Sequence, residues 1–106
     1  MSPHLLRTQV IDALELIADR EAQLRVQAQA PGIDVSLELL LQWEDGYRPD
    51  APALGWAFDA AQQATLRAFH AIFLAVRDEV GLQPPPLARF VTTAAWRRYS
   101  DAARTA

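Results

Sequence analysis

The chain has 106 residues, 51% hydrophobic and 22% charged, with a formal net charge of −3. That composition excludes a disordered chain, which would be less hydrophobic and more highly charged, and the length suits one domain (residues 1–106) around one core. The absence of cysteine rules out disulfides, thiolate metal ligands and a cysteine nucleophile. The acidic balance disfavours nucleic acid, whose partners usually present a basic face that releases counterions.

The start of the chain, Met1-Ser2-Pro3-His4-Leu5-Leu6-Arg7, lacks the basic segment and apolar run of a secretory signal. No apolar stretch approaches the roughly 20 residues of a membrane span, so a cytoplasmic location is expected. All cationic side chains are arginine and alanine is abundant, a usage associated with GC-rich bacterial genomes.

Ser2 and Pro3 form a helix start, a cap followed by a proline whose missing N–H would have been unpaired. Leu6, Val10, Ala13, Leu14, Ile17 and Leu24 recur at three- and four-residue intervals, which predicts one long amphipathic helix over roughly 3–29, stopped by Pro31-Gly32. Asp34 or Ser36 can cap a short second helix whose Leu37, Leu39, Leu40, Leu41 and Trp43 circle it, so that it needs cover from several sides. From Asp45 to Ala57 the periodicity vanishes and Gly46, Pro49, Pro52 and Gly55 predict an irregular loop. A loop that long is uncommon unless it has a function or moves.

Asp59 and Gln62 have capping-box spacing. The third helix, over 59–80, carries Leu66, Phe69, Phe73, Val76 and Val80 on one side and ends at Gly81 and the triple proline 84–86. Leu87, Phe90 and Val91 predict a helical turn, and Thr92 or Thr93 caps a last helix through Trp96 and Tyr99 that frays beyond Ala102. The expected fold is therefore an all-α bundle of two long antiparallel helices, 3–29 and 59–80, closed by two shorter ones.

No residue set meets the demands of nucleophilic catalysis, which needs a base beside the nucleophile and a group that orients the base. The serines suit caps or surface positions. His4 and His70 lack helical metal-site spacing. His70, beside Phe69 and Phe73, is expected to border the core and bond to a neighbour or water. A carboxylate metal site would need Glu44, Asp45, Asp50 and Asp59, or His70, to converge, and their order is not that of a calcium loop. No catalytic residue, metal site or cofactor is therefore assigned, and a metal-dependent enzyme ranks last.

The surface offers more. Asp12, Glu15 and Asp19 lie opposite the core stripe of the first helix, with Glu15 and Asp19 a like-charge pair four apart, at a cost of about 0.2–0.5 kcal/mol. Trp43, Glu44, Asp45, Tyr47 and Asp50 mix carboxylates with large rings. Aromatic residues anchor interfaces and carboxylates steer basic partners toward them, so these eight residues form a candidate partner-binding patch. The ordinary alternative is a solvated charge stripe over a core Trp43.

The segments Ala13-Leu14-Glu15-Leu16-Ile17-Ala18-Asp19-Arg20-Glu21, Gln42-Trp43-Glu44-Asp45 and Ala95-Trp96 resemble a loose family of small bacterial helical proteins, some of them immunity-like. The resemblance implies neutralisation of a toxin, with a basic toxin domain as partner and no catalytic residue. A homodimer through the apolar second helix is the alternative.

Overall fold

The computed structural model describes residues 2–106, so the first residue of the expected 1–106 domain lies outside it. Helix α1, Pro3–Ala18, begins as its sequence dictates: Ser2 Oγ accepts the Leu5 N–H at 3.1 Å, and Pro3 occupies the first turn. Leu6, Val10, Ala13 and Ile17 form its buried stripe.

The expected rod over 3–29 is broken. At Asp19 the backbone turns extended (φ −117°, ψ 95°), and its carboxylate accepts the Ala22 N–H at 3.0 Å to start a separate helix α2, Arg20–Gln29. The Leu16 carbonyl, which also accepts the Asp19 N–H at 3.2 Å, and the Ile17 carbonyl both accept from the side-chain amide of buried Gln23 at 2.9 Å. Gln23 Oε1 in turn accepts the Trp96 indole N–H at 2.9 Å. Every polar atom of this buried group is thereby used, which is what permits a glutamine in a core. Leu24, assigned to the stripe by spacing, is on the exposed side of α2.

Gln27 shapes the next connection, donating to the Ala30 and Ile33 carbonyls and accepting from Val35 N–H. Helix α3, Val35–Gly46, starts at Asp34, whose carboxylate accepts the Leu37 N–H. It buries one side, Val35, Ser36, Leu39, Leu40 and Trp43, while Leu41 is 38% exposed, so it is amphipathic and not covered all round. The segment expected to be irregular contains a single turn, α4, Leu54–Ala57, pinned by buried Leu54 and Phe58. Arg7 donates to the Ala57 carbonyl at 3.0 Å and lies over the Phe58 ring.

Helix α5, Ala60–Val80, begins with both halves of the capping box: Asp59 accepts from Gln62 N–H at 2.7 Å and Gln62 Oε1 from Asp59 N–H at 3.0 Å. It ends at Gly81, whose φ of +70° needs a residue without Cβ. A short turn, α6, Leu87–Phe90, buries both its ends. Thr93 caps α7, Ala94–Thr105, which does not fray at Ala102 as expected: it runs on because Ala103 is buried.

Among the described residues the chain is helical throughout, with seven helices and no strand. The arrangement corrects the expected pair of long helices. α1 packs on α7, α3 and α4, whereas the main neighbour of α5 is α7. The last helix is central because its Trp96, Tyr99 and Ser100 face inward while Arg97, Arg98 and Asp101 face water. Tyr99 donates to the Leu39 carbonyl at 2.8 Å and lies against Phe69, and Arg98 forms an ion pair with Glu79 of α5. No helix among the described residues is long and apolar enough to cross a membrane.

Candidate functional site

The core stripe of α1 sends Asp12 and Glu15 outward, because residues two and five positions after Val10 fall across the helix from it. Both are exposed. The sequence of α3 does the same with Glu44 and Asp45, which follow buried Trp43 directly. Packing of α1 on α3 then brings Asp12 and Asp45, 33 positions apart, to one cleft of about 430 Å³ lined also by Gln9, Ala13, Gln42 and Gly46. A smaller hollow of about 190 Å³ shares Asp45 and Gly46 and continues to Arg48, Ala51 and Ala53.

Neither Asp12 nor Asp45 belongs to an ion pair among the described residues. The last turn of α3 contains no basic residue, and its closing carbonyls carry the negative end of the helix dipole. Asp45 therefore adds a carboxylate where the backbone is already negative. Of the residues lining the two hollows, Arg48 in the smaller one is the basic side chain.

The other expected patch residues separate. Asp19 is exposed, but its carboxylate is committed to capping α2, and Asp50 lies exposed in the connection after α3 without lining either hollow. Glu44 faces α5 and meets Arg77 at 3.5 Å. With both side chains well exposed, such a pair contributes at most about 1 kcal/mol.

Trp43 and Tyr47 cannot serve as surface anchors, because they are 0% and 3% exposed. Their rings stack at 4.7 Å, and Trp43 meets Phe69 edge-on at 4.5 Å. The ring that does stand in solvent is Trp56, 75% exposed on α4. Sequence reasoning missed it. Its only signal was isolation: an aromatic in a glycine- and proline-rich segment with no apolar partner larger than alanine at helical spacing.

His70 is half-buried, and its Nδ1 accepts the Trp43 indole N–H at 3.1 Å. Burial holds the imidazole below its ordinary pKa, assisted by the Arg77 charge and opposed by Glu44. Burial also raises the Tyr47 hydroxyl, against the pull of Arg67. Among the described residues no three acidic or histidine side chains converge as metal ligands, and Asp59 is occupied by its capping box.

No protein-family model, curated protein or solved structure matches this chain.

Proposed function

We propose that the chain is a non-catalytic protein-binding domain whose α1–α3 cleft receives a cationic side chain, arginine or lysine, from a basic protein partner. The observation that carries this reading is the meeting of Asp12 and Asp45 in one cleft, uncompensated by any ion pair among the described residues, at the negative end of α3. Carboxylates so placed steer a basic surface and fix its register. Trp56 supplies the aromatic contact that the buried Trp43 and Tyr47 cannot, and its helix α4 packs on α1. The resemblance of three segments to immunity-like bacterial proteins supports a toxin domain as that partner and a cytoplasmic site of action.

The test is quantitative capture with three baits: the natural chain, Asp12→Lys with Asp45→Lys, and a charge-matched control, Asp78→Lys with Asp101→Lys, placed on exposed sites of α5 and α7. A partner retained by the control and reduced at least about tenfold by the cleft variant, a loss of about 1.4 kcal/mol, supports the reading. Equal recovery by all three baits sinks it.

The exposure of Leu41 on α3 favours a second reading, a homodimer through that helix. A strictly monomeric mass by light scattering at micromolar concentration removes it.

A further inference from the structure

We infer that His70 is a proton-operated latch on the C-terminal half of α3, holding the Trp43 side chain when neutral and releasing it when protonated. The geometry is specific. Trp43 Nε1 has one hydrogen and no acceptor capacity, so the 3.1 Å contact requires a bare lone pair on His70 Nδ1 and places the ring's proton on Nε2. Protonating Nδ1 sets two donors against each other and abolishes the bond. Trp43 is fully buried, so its indole N–H is then left without a partner inside the core, a situation costly enough to move the side chain.

No other side-chain hydrogen bond joins α3 to α5 among the described residues; the remaining polar link is the exposed Glu44–Arg77 pair. The charged and titratable groups around the imidazole are few. From α3 come Glu44 and the Tyr47 hydroxyl, whose ring lies 5.1 Å from the imidazole. From α5 come Arg77 and, one turn before His70, Arg67. From α7 Tyr99 stands behind Phe69 and Phe73, its hydroxyl committed to the Leu39 carbonyl. Glu44, the one carboxylate in this set, is already engaged by Arg77, so an imidazolium would find the Arg77 guanidinium and little free negative charge.

The consequence reaches the cleft, a step that rests on the proposed function. Gln42 and Asp45, which line it, flank Trp43 on the same helix, so releasing Trp43 loosens the segment that presents Asp45. Acid that protonates His70 would then weaken capture of a cationic partner. The latch itself can be read in the free protein, where failure of the cleft reading has no influence.

The experiment is an NMR titration from pH 7.5 to 5.5 of the natural chain and of His70→Asn, whose amide oxygen stands near the position of Nδ1 and accepts without titrating. The His70 midpoint is expected below 6.5, with the Trp43 indole N–H resonance moving, and its exchange with solvent accelerating, at the same midpoint. In His70→Asn that resonance stays fixed over the range. Two milder variants provide a control should His70→Asn not fold: Glu44→Gln lowers the midpoint and Arg77→Gln raises it. A Trp43 resonance that ignores His70 protonation, or that moves identically in His70→Asn, overturns the latch.

Discussion

Asp59 and Asp45 are the same side chain at the start of one helix and the end of another, and the two termini are held by different forces. At the start of α5 the carboxylate satisfies a backbone N–H and meets the positive end of the dipole, so the acid stabilises the helix it begins. At the end of α3 the carboxylate meets the negative end and satisfies nothing among the described residues. What keeps that end in place is the other side of the same turn, where Trp43 and Tyr47 enter the core and His70 accepts the indole N–H. One terminus is fixed by capping; the other is fixed by packing and is free to carry a residue that stability alone would not select.

The sharpest way to break this comparison is Trp43→Ala. If packing anchors the end of α3, the substitution costs about 3–5 kcal/mol in urea unfolding, well above any cap, and a loss under 2 kcal/mol would mean that the anchor lies elsewhere. Next comes Asp59→Ala, expected to cost about 1 kcal/mol through loss of the capping box, with an unchanged slope against denaturant. The smallest and most telling effect has the opposite sign. Asp45→Lys complements the dipole of α3 and should stabilise the chain by about 0.3–1 kcal/mol, read as a rise in melting temperature, while impairing capture of a basic partner. A destabilising Asp45→Lys would show that the acid has a structural partner and would remove the strain on which the functional reading relies.

The pH dependence follows from His70. Its folded pKa is depressed by burial, so the stability it contributes is complete above the ordinary value near 6.5 and is lost as pH falls through the folded value. The melting temperature of the natural chain should therefore fall more steeply between pH 7 and 5.5 than that of His70→Asn. Parallel curves would show that the imidazole has no such part in stability.

The all-helical class, the caps at Ser2 and Asp59 and the stop at Gly81 were legible in the sequence, and the caps at Asp34 and Thr93 were narrowed to two residues each, because each depends on residues within four positions of one another. Much of what was not legible depends on contacts across the fold. The break at Asp19 is hidden because the apolar spacing runs on through it, and the distant Trp96 is part of what turns Gln23 inward. Spacing could not show that α7 would come between the two longest helices. The candidate site divides along the same line: the outward placement of Asp12 and Asp45 follows from local periodicity, but their meeting depends on how α1 crosses α3. Trp43 and Tyr47 were grouped with the acids by proximity along the chain, and their burial reflects packing against Phe69 and His70 of α5 that no short segment encodes.

The Gln23 arrangement has a mechanical consequence. A bend whose carbonyls were left to water could flex as solvent came and went, whereas here one amide is bound on two edges by carbonyls and on the third by an indole anchored in α7. The corner between α1 and α2 is therefore a welded joint, and force applied to α2 is passed directly into the central helix.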